Sequence, residues 1–177
     1  NPRQPGSSIK PIGVYGPAIQ SGVDLNTGWT AGSTIEDKPT YVNGKLWPRN
    51  SNNQYDGWIT LRTCVEQSKN VPSVALVNDI GYSYSIDFLK KNGISTIVED
   101  GDVNDKNPAA LALGGMTKGI SPIEMASAYA TFPNQGVHVE PTTYTKVTDS
   151  QGNVLLESEP EETRVFDEGV AFIMTDI

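Results

Sequence analysis

Apolar residues along this chain fall into a few periodic stretches, separated by long runs rich in Gly, Pro, Asn, Ser and Thr. From Ile59 to Ser68, the residues Leu61, Cys64, Val65 and Ser68 recur at i, i+3, i+4 and i+7. That spacing predicts one face of a helix and puts Ser68 on its inward side. The chain then breaks at Lys69-Asn70-Val71-Pro72, and Pro72 suits the first position of a second helix through Val77. Apolar nearly all round, this helix is expected at the centre of the fold. A third helix is expected from about Ser83 to Asn92, with Ile86 and Leu89 inward, Gly93 as a left-handed cap and Ile94 following.

Ser121-Pro122-Ile123-Glu124 is a capping box with proline at the first helical position. It predicts a helix from Pro122 to about Thr131, in which Met125, Ala126, Ala128 and Tyr129 are read as core. Alternation around Tyr144 to Val147, a turn at Ser150-Gln151-Gly152-Asn153 and the run Val154-Leu155-Leu156 predict a β-hairpin. A last helix starts near Asp167.

The stretches without periodicity also carry information. Tyr15 to Asn53 reads as a long irregular excursion packed by Tyr41, Trp47 and Tyr55, and loops of that length usually have a function. In the acidic loop Glu99 to Asn107, Asp100, Asp102 and Asn104 imitate the start of a calcium loop. Asp105 stands where its glycine should be and Leu111 where its bidentate glutamate should be, so a solvated loop is the better reading and no metal is expected. His138 lies in the loop before the hairpin with no Ser, Cys or Asp arrangement attached to it. A structural or exposed histidine is expected.

Length and charge narrow the classes. The 177 residues fit one domain, and a net charge of -8, with thirteen Lys and Arg scattered rather than striped, argues against nucleic-acid or anionic-membrane partners. The single cysteine, Cys64, excludes an internal disulfide. No apolar run approaches a membrane span, and the N-terminus lacks a signal-peptide pattern, so any export or anchoring segment is expected outside this chain. Both ends read as cut, the last inside the helical run Phe172 to Ile177. A piece of a domain is expected.

Candidate chemistry sits in Pro5-Gly6-Ser7-Ser8-Ile9-Lys10-Pro11. If the chain turns helical after Pro5-Gly6, Ser7 and Lys10 share one face, and a lysine kept neutral by burial can take a serine proton. The helix start adds N-H groups that favour developing negative charge. Taken alone, S-x-x-K is better read as an N-cap serine with a surface lysine, and Pro11 disfavours helical geometry at Lys10.

The company this motif keeps is more specific. Ser7-Ser8-Ile9-Lys10, within Arg3 to Pro11, resembles the S-x-x-K of penicillin-binding proteins and class A β-lactamases. Ser68-Lys69-Asn70 resembles their second motif in its S-x-N form. Leu113-Gly114-Gly115 to Lys118-Gly119-Ile120-Ser121-Pro122-Ile123-Glu124-Met125-Ala126, then Ala128-Tyr129-Ala130 and Asn134-Gln135-Gly136, is similar to a stretch of the class A members. The chain thus looks like part of the transpeptidase domain of bifunctional, class A penicillin-binding proteins.

The resemblance implies an incomplete α/β transpeptidase fold over residues 1–177, with helices on one side and the first hairpin of an antiparallel sheet at the end. It implies a peptidoglycan D,D-transpeptidase that needs no cofactor. Ser7 would attack the penultimate D-alanine carbonyl of a stem peptide, Lys10 accept its proton, Ser68 relay a proton to the leaving group, and Asn70 hold the substrate amide. D-Ala-D-Ala stem peptides, β-lactams and the remainder of the same domain would be the partners, at the extracytoplasmic face of the bacterial membrane. No Lys-Thr-Gly or Lys-Ser-Gly occurs in the chain. In the family that triplet lies on the opposite wall of the cleft and completes the oxyanion hole, so these residues by themselves are expected to be inactive.

Trp47 and Tyr41 are read equally as cleft-lining or as core. Two alternatives remain: a D,D-carboxypeptidase or β-lactamase-like hydrolase, and a non-catalytic penicillin-sensing or wall-binding module.

Overall fold

A computed structural model describes residues 1–25 and 28–177. The N-terminal segment leads into a 3-10 turn at Gly6–Ile9, a wider π turn at Pro11–Tyr15 and helix α1 at Gly16–Asp24. Lys10 takes helical geometry ahead of Pro11 all the same, at φ -56 and ψ -47, with its N-H on the Ser7 carbonyl. The Ser8 carbonyl, three residues before Pro11, accepts from the Tyr129 hydroxyl instead, and Gly16 N-H reaches back to the Pro11 carbonyl.

The irregular excursion therefore begins later than expected. Gly16 and Pro17 look like loop punctuation, yet both fall in the first turn of α1, where proline loses no partner. Gly16 is also where the Phe166 ring presses in, 3.0 Å from where a Cβ would sit.

Strands β1 (Thr34–Asp37), β2 (Tyr41–Val42), β3 (Lys45–Leu46) and β4 (Gly57–Thr60) build the excursion as two antiparallel pairs, β1 with β4 and β2 with β3. Its aromatics pack unevenly: Trp47 meets the core, while Tyr41 is 65% exposed. Helix α2 runs over Leu61–Glu66 only. Ile59 and Thr60 belong to β4, and the Thr60 side chain caps the helix by accepting the Thr63 N-H at 3.2 Å.

Helix α3 (Asn70–Ile80) begins two residues before Pro72 and is central as its composition requires, packing against α1, the π turn, α4 (Tyr82–Lys91) and α5 (Pro108–Leu113). Gly93 takes the expected left-handed conformation after α4, with Ile94 buried behind it.

In the acidic loop Asp105 is fully buried. Its carboxylate accepts the Val98 N-H and both the N-H and hydroxyl of Thr117, each at 2.8 Å, so it staples the loop shut.

Helix α6 (Pro122–Ala130) carries the complete capping box. Of its apolar positions Ala128 is buried and Met125 half-buried, whereas Ala126 and Tyr129 are exposed, contrary to the core reading.

Strand β5 (Val137–Val139) contains His138, which is therefore not in a loop, and pairs with β8 (Glu162–Arg164). The expected hairpin forms between them from β6 (Lys146–Thr148) and β7 (Val154–Glu157). Among the described residues it pairs with no other strand and is exposed along both strands, so it projects as a two-stranded ribbon. Helix α7 (Glu168–Asp176) closes the described fold. Phe166 stacks between Phe88 and Phe132, at 5.2 and 5.3 Å between ring centres, joining the C-terminal segment to the helical core.

Candidate active site

Two glycines seat the turn that carries Ser7. A Cβ on Gly114 would lie 2.2 Å from the Gly6 carbonyl oxygen, and one on Gly119 would lie 2.4 Å from that of Arg3. Both glycines also hold positive φ, so backbone meets backbone where no side chain fits. Arg3 and Ile120 exchange two backbone hydrogen bonds at 2.9 and 2.8 Å. Tyr129 donates to the Ser8 carbonyl at 2.8 Å, and the Ser8 hydroxyl donates to that of Pro5 at 2.7 Å. The run around Leu113 to Tyr129 is thus the bed on which the 3-10 turn lies.

Ser7 stands exposed on that turn, and among the described residues its hydroxyl has no hydrogen-bond partner. Lys10, one 3-10 turn further on, is 2% exposed. Its Nζ donates to the Ser68 carbonyl at 2.7 Å, to Ser68 Oγ at 3.2 Å and to Asn70 Oδ1 at 2.7 Å. The structure therefore brings Lys10, Ser68 and Asn70 together, with Ser7 on the same turn but not bonded to Lys10. Burial lowers the Lys10 ammonium from 10.5 to about 8, so a neutral amine becomes accessible near physiological pH.

Ser68 reaches Lys10 by a different route from the one its spacing suggests. Helix α2 ends at Glu66, and Ser68 lies beyond it, exposed, at φ +50. Ser68 N-H bonds the Val65 carbonyl at 2.9 Å and Lys69 N-H that of Cys64 at 3.0 Å, a Schellman closure with serine in the place that glycine usually takes. The inward face of α2 ends with Leu61 and Cys64.

Asn70 accepts from Lys10 and donates from Nδ2 to the Arg49 carbonyl at 2.8 Å. Between the two motif residues, Lys69 turns the other way, 3% exposed, and pairs with Asp37 and Asp56. Ser73 donates to the Lys69 carbonyl at 2.6 Å and is bonded to the Tyr15 hydroxyl at 2.8 Å, tying the π turn to the start of α3.

Sequence alone does not single out Lys69, Asp37 or Asn50, because contacts across thirteen or more residues leave no local spacing. Trp47, with Pro48, Val71 and Val74, lines a cavity of about 430 Å³ beside α3; Tyr41 does not.

His138 has a serine after all. Its Nε2 is 2.9 Å from Ser127 Oγ, and that hydroxyl is also 2.9 Å from the Val139 carbonyl, to which it donates. Burial lowers the imidazole pKa while Glu140 opposes the shift. With its proton committed to a carbonyl, Ser127 is a structural tie rather than a nucleophile.

An exposed hydroxyl, a buried amine one turn away and a second hydroxyl held against that amine are the kinds of group that serine acyl transfer with a lysine base requires. The chain belongs to the penicillin-binding protein transpeptidase domain family, whose model matches residues 1–177.

It is 36% identical over 173 residues to penicillin-binding protein 1F of Bacillus subtilis, covering 98% of this chain and 22% of that relative. To penicillin-binding protein 1A of Clostridium tetani it is 37% identical over 187 residues, covering 99% and 23%. Among solved structures, penicillin-binding protein 1A from Haemophilus influenzae superposes with a TM-score of 0.73 at 27% identity, over 96% of this chain and 28% of that one. The imipenem acyl-enzyme complex of penicillin-binding protein A from M. tuberculosis gives 0.77 at 20% identity, over 99% and 42%, and shows the likeness of fold. The chain therefore spans under a quarter of the length of these two relatives. No helix among the described residues is long and apolar enough to cross a membrane.

Proposed function

We propose that the protein containing this chain is a peptidoglycan D,D-transpeptidase, and that residues 1–177 form part of its acyl-transfer domain. The observation that carries this reading is the Lys10 amine, buried one turn after an exposed Ser7 and held by Ser68 and Asn70.

In the acylation step Ser7 Oγ attacks the carbonyl carbon of the penultimate D-alanine and gives its proton to the neutral Lys10 amine. The C-N bond to the terminal D-alanine breaks, and a proton passes from Lys10 through Ser68 Oγ to the departing nitrogen. An amine of a neighbouring stem peptide then attacks the ester carbonyl, and Ser7 recovers its proton as the oxygen leaves. Asn70 orients Lys10 through Oδ1, and a substrate amide could share its Nδ2. A β-lactam enters the same first step, its ring C-N bond opening without a leaving molecule, so the ester persists.

The family membership supports β-lactam binding, and the class A relatives support a cell-wall enzyme working at the extracytoplasmic face of the membrane. The carboxylates linked to the site through Lys69, Asp37 and Asp56, are engaged by that lysine rather than turned toward Ser7, which favours an amine over activated water as acceptor.

Release of D-alanine from a D-Ala-D-Ala stem-peptide mimic by the full-length protein tests the reading. Release with cross-linked product by the wild type, abolished in Ser7→Ala, is expected. Release with hydrolysed product alone would make the enzyme a carboxypeptidase, and no release with no acyl-enzyme would leave a binding module.

A further inference from the structure

Asn50 precedes Asn70 by 20 residues, in the irregular segment between β3 and β4, yet its side chain is only 3% exposed and reaches the S-x-N turn. Its Oδ1 accepts the N-H groups of Asn70 at 2.9 Å and Val71 at 3.2 Å, the first two residues of α3. Lys69, at the N-cap position of that helix, supplies no side-chain cap, so the cap comes from Asn50. Asn50 Nδ2 donates to the two Asp37 oxygens at 2.7 and 2.9 Å and to the Gln54 carbonyl at 2.9 Å. Asp37, 1% exposed, also accepts the Asp56 N-H at 3.1 Å and lies 3.4 Å from the Lys69 ammonium.

The two residues that hold Lys10 are therefore bracketed from behind. Ser68 is followed by Lys69, fixed on Asp37 and Asp56, and Asn70 is held by its own N-H on Asn50. The bracket matters because Ser68 keeps a left-handed backbone that a non-glycine residue gives up unless its surroundings over-determine it. An amide suits position 50 on chemical grounds: one end must accept two N-H groups while the other donates to a carboxylate and a carbonyl. A carboxylate there would do the first and oppose the second.

We propose that Asn50, backed by Asp37, is a positioning residue of the acyl-transfer site, capping α3 from outside and fixing the Ser68–Asn70 turn so that both side chains stay aimed at Lys10. The proposal rests on reading Ser7, Lys10 and Ser68 as the acylation machinery.

The test uses the full-length protein and two readouts: the rate of acylation by a fluorescent penicillin across pH, and hydrogen exchange at the Asn70 and Val71 amides. Asn50→Ala is expected to slow acylation by about 10- to 100-fold, the scale set by small displacements of reacting groups. It should speed exchange at those two amides by about fivefold or more, as the loss of a helix cap does. Asn92→Ala, which breaks the buried hydrogen bond to the Phe88 carbonyl at the end of α4, is the control for a lost buried hydrogen bond and should leave both readouts at wild type.

Asn50→Asp keeps the cap but faces Asp37 with a second carboxylate. It should acylate about tenfold or more slowly than wild type, because the amide donors to Asp37 and to the Gln54 carbonyl are lost. Exchanging the two residues, Asp37→Asn with Asn50→Asp, should acylate about tenfold faster than Asn50→Asp alone. These two variants decide the matter if Asn50→Ala does not fold. Faster exchange with acylation and its pH profile unchanged would overturn the positioning role and leave the acyl-transfer reading intact. A wild-type protein that takes up no penicillin while the amides still respond would overturn the acyl-transfer reading, and this role with it.

Discussion

Lys10 and Lys69 are both buried, but Lys69 is paired with Asp37 and Asp56 whereas Lys10 meets only Ser68 and Asn70, a difference that kinetics can read. The folded Lys10 value of about 8 lies below the ordinary 10.5, so the unfolded chain holds the extra proton between those two values. Stability contributed at this position therefore rises with pH across that window, and below it the buried charge works against folding. The chemistry runs the same way: acylation should rise through an apparent pKa near 8 as the amine deprotonates. Stopped-flow acylation between pH 6 and 9.5 checks this, and a flat profile would remove Lys10 as the base. Ser68→Gly tests the neighbouring strain. Glycine at a left-handed helix end relieves about 0.5–1 kcal/mol, so thermal unfolding should move up while acylation falls about 100-fold or more for want of the hydroxyl. The three-residue spacing of Ser7 and Lys10 was legible because a single turn fixes it. Ser68's place outside α2 was not, since the periodic run through Val65 gives no sign that the helix stops at Glu66.

At the level of elements, α6 shows what local chemistry can specify. Burial works against ionising Glu124, but hydrogen bonds from Ser121 and Ser95 outweigh it and hold the carboxyl at about 2. A depressed carboxyl contributes stability that is present above its ordinary value of 4.5 and is lost as pH falls toward about 2. Glu124→Gln should accordingly lower stability at pH 7 and flatten the acid loss across that window, as measured by urea unfolding at several pH values. The projecting β6–β7 ribbon makes the opposite case. Leu155 and Leu156 are 61% and 53% exposed, so Leu155→Thr with Leu156→Thr should change the unfolding free energy by less than about 0.5 kcal/mol each. The capping box and the Gly93 cap could be read directly, because each satisfies its own backbone within a few residues. Helix α1 could not, because Gly16 and Pro17 carry the same letters at a helix start as in a loop. The ribbon's strands were legible from alternation, but the pair that flanks it was not: β5 pairs with β8 across the whole ribbon, and alternation alone does not say which strand lies alongside.

For the molecule as a whole, the core and the site are one construction. The buried side chains around α3 hold the 3-10 and π turns on one side and the S-x-N turn on the other, so that Lys10 can bridge them. Such an arrangement predicts a sharp chemical asymmetry between Ser7 and the other hydroxyls of the site, Ser8, which is bonded to Pro5, and Ser68, which accepts from Lys10. Intact mass spectrometry of the full-length protein with a β-lactam, followed by peptide mapping, reads that asymmetry directly. One drug mass on the peptide containing Ser7, absent from Ser7→Ala, is the result predicted here. Uptake on another residue, or undiminished uptake by Ser7→Ala, would contradict the assignment of the nucleophile.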